Sequence, residues 1–364
     1  MTAEEDYTLI LAEEGTYKLV RVIVNTDTDN GIESSESSDS LVFMDKIDDQ
    51  FFDKKSFAQD KDFNENVTMQ VRDIAVSCGV LDLNNRKQMF AFHNFCPAGL
   101  HFYRCPSVDK TVSALSFLNL LWFVDDLLDD KHLTQEESKD LIEQVCFFFG
   151  VSEQTSESTD SKFISISRYA SAVRERLLGH VSQDWMNNFA QSYGKYARAS
   201  LKETSNKKNC FSVEEYMRLR MYTSAVFPCQ DLLSMLYDFE YVPCPDVERA
   251  RFLCNRIISF TNDIFSFEKE YNSNSANLLK LIMIEREQLL SGAVGTCVSL
   301  LNQDICELLQ IEKNLEQEEG WKAKFITGLK TMIQGNAIWS SGTKRYCTPT
   351  SPFADLRESW ARQT

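Results

Sequence analysis

The sequence predicts an all-α protein, a single helical body behind an acidic N-terminal arm, and three observations carry that expectation. From about residue 66 almost to the end, apolar residues recur at helical spacing and glycine is sparse within the periodic segments. Pro106, Pro228 and Pro243/Pro245 fall where such segments end. Neither strand–helix alternation, a fixed-period repeat nor a glycine-rich phosphate loop appears.

The elements follow in order. Residues 7–24 (YTLILAEEGTYKLVRVIV) alternate enough to predict a short hairpin, with Glu14-Gly15 near its turn. A polar stretch over 25–40 reads as flexible. Within it Asn25, Asp27, Asp29 and Glu36 mimic calcium-loop positions, but the glycine (Gly31) is one place late and the lead-in resembles strand, so the match is read as accidental. Helices are expected at roughly 67–79, 85–93, 108–130, 161–180, 183–204, 246–271, 275–291, 293–316 and 320–339. Two more open on capping boxes, Thr134 with Glu137 before 135–149 and Ser212 with Glu215 before 213–221. The arm is taken as residues 1–65 and the helical domain as 66–364.

Composition narrows the function. At 364 residues and 43% hydrophobic, the chain can bury a large core. A net charge of −16 argues against nucleic acid or an anionic membrane as a partner. Residues 1–66 alone hold 17 acids against 6 bases. The eleven cysteines are odd in number and form no CxxC pair, which favours reduced thiols over a disulfide framework. With no basic-then-apolar leader and no uninterrupted apolar run of spanning length, a soluble cytosolic protein without a membrane span is expected. The four histidines (His93, His101, His132, His180) show no zinc-ligand spacing.

The most informative feature is Asp125-Asp126-Leu127-Leu128-Asp129-Asp130, which closes the uncharged run TVSALSFLNLLWFV over 111–124. That run is apolar on more than one face and reads as a buried helix. Its C-terminal end carries the negative pole of the helix dipole, so four acids there demand an external cation. Hard divalent ions such as Mg2+ fit, since they take carboxylate oxygens and keep waters for a phosphate partner. Asp125 and Asp129 stand one turn apart on one face, with Asp126 adjacent. A solvated acidic helix end is the bland alternative.

A second constellation lies at 262–270, NDIFSFEKE. Asn262, Ser266 and Glu270 fall at i, i+4 and i+8, so amide, hydroxyl and carboxylate oxygens line one stripe, with Lys269 beside them to meet a phosphate oxygen.

Together these residues resemble the class I terpene synthases, whose paired signatures are DDxxD and NDxxSxxx(K)E; here they read DDLLD at 125–129 and NDIFSFEKE at 262–270. Trp339, five residues, then Arg345-Tyr346 matches the family's C-terminal W-x5-RY. The resemblance covers roughly residues 66–350, at intervals that suit the single-domain microbial and octocoral-type enzymes, and leaves the acidic arm outside.

The resemblance implies a helical bundle around a central active-site cavity and a Mg2+-dependent cyclisation of a linear isoprenyl diphosphate. Three Mg2+ ions are implied, with Mn2+ as a substitute. Asp125 would bind two of them, assisted by Asp126 or Asp129, and Asn262, Ser266 and Glu270 would hold the third. Lys269, Arg345 and Tyr346 would donate hydrogen bonds to the diphosphate. The family's sensor arginine precedes the second motif in a pattern like Y-x-x-L-R-x-x-T; Tyr216 to Thr223 (YMRLRMYT) nominates Arg220, with Arg218 as the other register. A helix break with a small residue should follow, and Ser224, Ala225 and Pro228 supply it where the usual glycine is absent. Leu121 and Trp122, one turn before Asp125, should point into the cavity with Trp339 and Phe227, since aromatic faces steady a carbocation without offering a nucleophile.

The alternatives are a chain-elongating prenyltransferase, which would carry a second DDxxD in place of NDIFSFEKE, and a non-catalytic helical binding protein on the same fold. The octocoral-type flavour favours the C20 substrate, geranylgeranyl diphosphate, over C15 farnesyl diphosphate. A monomer or homodimer is expected.

Overall fold

The computed structural model describes residues 3–11, 17–25, 60–128, 133–151, 163–205, 211–273, 275–315 and 320–363. Two strands, β1 (Ala3–Leu11) and β2 (Tyr17–Asn25), pair antiparallel with Leu11 opposite Tyr17 and Ala3 opposite Asn25. The hairpin is therefore present, and β1 starts earlier than the alternation suggested. Its turn and the rest of the calcium-like stretch lie outside the described residues, as does Asp129.

Among the described residues, all else that is regular is helix. The chain enters the body through α1 (Lys61–Cys78), which starts a turn and a half earlier than its apolar pattern because Asp60 caps it, accepting from the backbone N–H of Asp62 and Phe63. α2 (Arg86–Phe102) runs nine residues past the expected end, straight through Pro97. α3 (Val108–Leu128) is buried on every face over 111–124. It is long and apolar enough to cross a membrane, but it forms the centre of the bundle. Around it come α4 (Gln135–Phe148), α5 (Ile164–Leu178) and α6 (Gln183–Ser205). The Thr134–Glu137 capping box opens α4, and the Ser212–Glu215 box opens α7 (Val213–Thr223).

Two helices were not legible in the periodicity. α8 (Val226–Leu236) contains Pro228 at its third position, inside the first turn, where a missing N–H costs no intrahelical bond. The break before it is real: Ala225 takes a left-handed φ of 57°, which reverses the chain between α7 and α8. The other is a short α13 (Ala354–Ala361) at the C-terminus. Between them lie α9 (Pro245–Ser273), α10 (Leu278–Glu285), α11 (Leu290–Leu315) and α12 (Trp321–Gly342). α10 is half as long as expected because Glu287 turns left-handed, φ 52°, just beyond it.

α9 packs against α11 and α12, α12 against α2, and α2 against α3, while α8 touches α3, α6 and α9. β1 runs beside α10 and α11. The α2–α12 crossing is unusually close. A Cβ at Gly335 would stand 2.0 Å from the backbone oxygen of His101, so glycine alone lets these two backbones meet. That contact brings the C-terminal ends of α2 and α12 together and sets Trp339 against Asn94.

Candidate active site

The second motif is built around its own aspartate. Asp263 is fully buried, and its carboxylate accepts from three donors: Arg220 Nε at 2.8 Å, the Tyr216 hydroxyl at 2.9 Å and the Leu278 backbone N–H at 2.9 Å. Tyr216 and Arg220 stand at i and i+4 on α7, so one helical face delivers both. The second arm of the Arg220 guanidinium donates to Asn262 Oδ1 at 2.8 Å. Burial opposes the charge of Arg220, but Asp263 foremost among its neighbours outweighs it and raises its pKa. Arg218 instead lies on the surface, paired with Glu214 at 3.2 Å. Of the two registers, Arg220 is the one joined to the second motif.

Asn262, Ser266 and Glu270 follow on α9. Asn262 Nδ2 donates to the Tyr346 hydroxyl at 3.0 Å, and Ser266 Oγ donates back to the Asn262 carbonyl at 2.8 Å. Glu270 accepts from Asn277 Nδ2 at 2.8 Å. The same Asn277 caps α10 and donates to the Asp263 carbonyl at 2.7 Å, tying both ends of the motif to one side chain. Burial, then the neighbouring Asp263, raise the Glu270 carboxyl well above the usual carboxylate range, against the pull of Arg220, Asn277 and Lys269. A carboxyl so placed gains from a cation. The three donors are all oxygens, the set that suits a hard divalent ion.

The first motif meets the second through the C-terminal pair. Asp125 and Asp126 are exposed at the end of α3. Burial disfavours the Arg345 guanidinium, while Tyr346 and then Asp125 and Asp126 raise its pKa, which puts both acids within its field. Tyr346 is buried and joined to Asn262. Tyr346 is thus bonded to the second motif, and Arg345 lies in the field of the first. Beside this pair lies a pocket of about 230 Å³, lined by exposed Lys269, half-buried Arg345 and the buried Tyr346 and Phe265. From α6, Glu203 lies in the field of Arg220, Asp263 and Asp125, and burial raises its pKa first of all.

Below this polar rim runs a chain of rings. Trp122 stacks on Phe95 with centroids 5.4 Å apart, Phe95 meets Trp339 edge-on at 5.9 Å, and Trp339 meets Tyr346 at 5.7 Å. Leu121 is buried beside Trp122. Phe227 is not brought to this array: its ring contacts Tyr222 at 5.9 Å and carries the Arg251 guanidinium over its face, also at 5.9 Å. The reason is its place in the first turn of α8, where Arg251 of α9 donates to its carbonyl and pairs with Asp231.

Asp263, Tyr216, Asn277 and Phe95 were not singled out from sequence. Tyr216 had a signal, its i/i+4 relation to Arg220. Phe95 had none, because its role depends on the close α2–α12 crossing.

An α-helical bundle with an acidic helix end, an oxygen-lined second helix and an Arg–Tyr pair near both has the class I terpene synthase fold. Residues 116–307 match the family described as terpene synthase family 2, C-terminal metal binding, and the chain belongs to that family; it is a terpene synthase. A similar sequence is (+)-eremophilene synthase of Sorangium cellulosum (strain So ce56), 28% identical over 255 residues that cover 64% of this chain and 73% of that protein. Another is (+)-T-muurolol synthase ((2E,6E)-farnesyl diphosphate cyclizing) of Roseiflexus castenholzii, 24% identical over 262 residues, 69% of this chain and 79% of that one. Among solved structures, 2-methylisoborneol synthase from Streptomyces coelicolor A3(2), in complex with Mg2+ and 2-fluoroneryl diphosphate, shares the fold with a TM-score of 0.71 at 18% identity, covering 80% of this chain and 95% of that one.

Proposed function

We propose that this synthase ionises a linear isoprenyl diphosphate of C15 or C20 and cyclises the resulting cation, releasing diphosphate. The observation that carries the proposal is the hydrogen bond from Asn262 of the second motif to Tyr346, whose ring meets Trp339 of the aromatic array, with Arg345 beside it in the field of Asp125 and Asp126. Asp125, Asp126 and Asp129 on one side and Asn262, Ser266 and Glu270 on the other would hold Mg2+, three ions in all, with Mn2+ able to substitute. Bound there, the ions would supply positive charge where the leaving diphosphate develops its own.

The chain's own residues do the rest. Arg345 and Lys269 bind diphosphate oxygens, and Tyr346 orients against them through its hydroxyl. Arg220, held by Asp263, keeps Asn262 aimed. Trp122, Phe95 and Trp339 exclude water from the allylic cation and offer π-faces to it, each contact contributing about 0.5–2 kcal/mol. Leu121 fills the wall between them. The second motif reads Asn–Ser–Glu rather than a second aspartate run, which supports cyclisation over chain elongation. The farnesyl diphosphate in the name of the muurolol synthase supports C15, and the octocoral-type character of the sequence supports C20.

The arm, taken from the sequence as residues 1–65, is dispensable to this chemistry as far as the Asp60 cap, where α1 opens. A chain beginning just before Asp60 should keep its product profile; a folded truncation without activity would show that the arm completes the site. The substrate test is incubation of purified protein and Mg2+ with the C10, C15 and C20 diphosphates, each with and without isopentenyl diphosphate, followed by GC–MS. Cyclic hydrocarbons or alcohols from C15 or C20 are expected. Condensation with isopentenyl diphosphate to longer chains, or no turnover of any of the three, would overturn the proposal.

A further inference from the structure

Glu268 stands inside the second motif at a position to which the metal-binding pattern gives no task. Its two carboxylate oxygens are both engaged by the chain that follows Arg345-Tyr346: Thr348 Oγ1 donates to Oε2 at 2.5 Å and Thr350 Oγ1 to Oε1 at 2.6 Å. These three side chains close one wall of the same pocket whose other residues are Lys269, Arg345, Tyr346 and Phe265.

The segment is fixed at its far end without Glu268. Phe353 is fully buried and packs against Phe267 of α9 at 6.2 Å. Arg357 of α13 donates to the Ser351 carbonyl at 2.6 Å, and Ser359 donates to the Ser341 carbonyl at 2.6 Å. At the near end Tyr346 and Cys347 turn back onto the Thr343 carbonyl. Thr348 and Thr350 lie between these anchors, half-buried and exposed respectively.

A carboxylate beside Lys269 and Arg345 would, as a bare charge, repel a diphosphate drawn to them. Charge-assisted bonds to two hydroxyls give it a different use, since they fix a backbone that begins three residues after Arg345. We infer that Glu268 is a positioning residue: through Thr348 and Thr350 it holds the segment after Tyr346 so that Arg345 and Tyr346 face the diphosphate. This rests on the terpene synthase reading of the pocket proposed above.

The test is calorimetric titration of full-length protein with inorganic diphosphate in Mg2+, with KM and kcat measured in parallel. Glu268→Gln and the pair Thr348→Val/Thr350→Val should each weaken diphosphate binding about tenfold, the scale of one lost charge-assisted hydrogen bond, and raise KM more than they lower kcat. Combining all three substitutions should be no worse than the valine pair alone, because Glu268→Gln removes the charge assistance from the same linkage that the valine pair breaks. Thr348→Ser/Thr350→Ser, which keeps the hydroxyls, should recover most of the affinity. Tighter binding by Glu268→Gln with no effect of the valine pair, or additive effects of the two, would overturn the inference. Should Glu268→Gln fail to fold, the valine and serine pairs, at one half-buried and one exposed position, decide alone. Wild-type protein that binds diphosphate yet turns over no isoprenyl diphosphate would sink the functional reading but not the positioning role; wild-type protein that binds no diphosphate would overturn both.

Discussion

Asp263 offers the sharpest test of how the site is held. Its carboxylate compensates a half-buried guanidinium and satisfies two further donors, the Tyr216 hydroxyl and the Leu278 N–H. Asp263→Ala removes one partner of a buried pair, which costs about 3–5 kcal/mol because the other charge is left alone. For a body of roughly 300 residues, the unfolding entropy near 60 °C is about 0.6 kcal/mol/K, so Tm should fall by about 5–8 °C. Asp263→Asn keeps the shape, but its amide can satisfy Arg220 or the Leu278 N–H, not both. The expected cost is about 1–3 kcal/mol, a fall of about 2–5 °C. Both variants should lose turnover at temperatures well below Tm, since Arg220 no longer holds Asn262. Removing both charges, as Arg220→Met with Asp263→Leu, should destabilise less than Asp263→Leu alone, because no charge is then stranded. Thermal unfolding by circular dichroism with a diphosphate-release assay reads all of this. An Asp263→Ala protein within a degree of wild type and fully active would refute the reasoning.

Three other predictions use different parts of the structure. Trp122→Leu or Trp339→Leu should preserve diphosphate release while shifting products toward acyclic or early-quenched species, by up to about tenfold in partitioning, read by GC–MS; unchanged product ratios would make both tryptophans plain core. Trp339→Leu should also cost more stability than Trp122→Leu, since only the Trp339 indole donates, to the Asn94 carbonyl. Burial first, then Arg104, lowers the His101 pKa, so the unfolded chain binds its proton more readily; the stability tied to this residue is full above pH about 6.5 and is lost as pH falls through the folded value. His101→Gln should flatten that part of a Tm-against-pH curve, and an unchanged slope would count against it. Gly335→Ala, whose Cβ would meet the His101 carbonyl at 2.0 Å, should destabilise by about 1–3 kcal/mol or more and disturb Trp339, seen as a loss of near-UV dichroism.

Much of this was legible in the residues. The uncharged run over 111–124 declared a buried helix, and α3 is buried on every face there. The capping boxes at Thr134 and Ser212 located two helix starts to the residue, because a cap is a local hydrogen-bond pattern written in four positions. What stayed hidden was decided by tertiary contact. Pro228 read as a stop, though a first-turn proline begins a helix as readily as it ends one. Pro97 offered no sign that α2 would continue to Phe102, where its backbone meets Gly335. The placement of Phe227 followed from Arg251, 24 residues away, and no spacing rule connects the two. Asp263 was visible as a letter in the motif, but its three donors come from two other elements and could be seen only once folded.

The central claim is that two oxygen-bearing motifs on α3 and α9 act together on a diphosphate through divalent metal. It is tested most directly by following diphosphate release and cyclic product from the preferred substrate in Mg2+, in excess EDTA, and in Asp125→Ala and Asn262→Ala proteins whose helical circular dichroism matches wild type. Turnover in Mg2+ that disappears in EDTA and in either variant is the predicted result. Cyclisation that survives excess EDTA would contradict it.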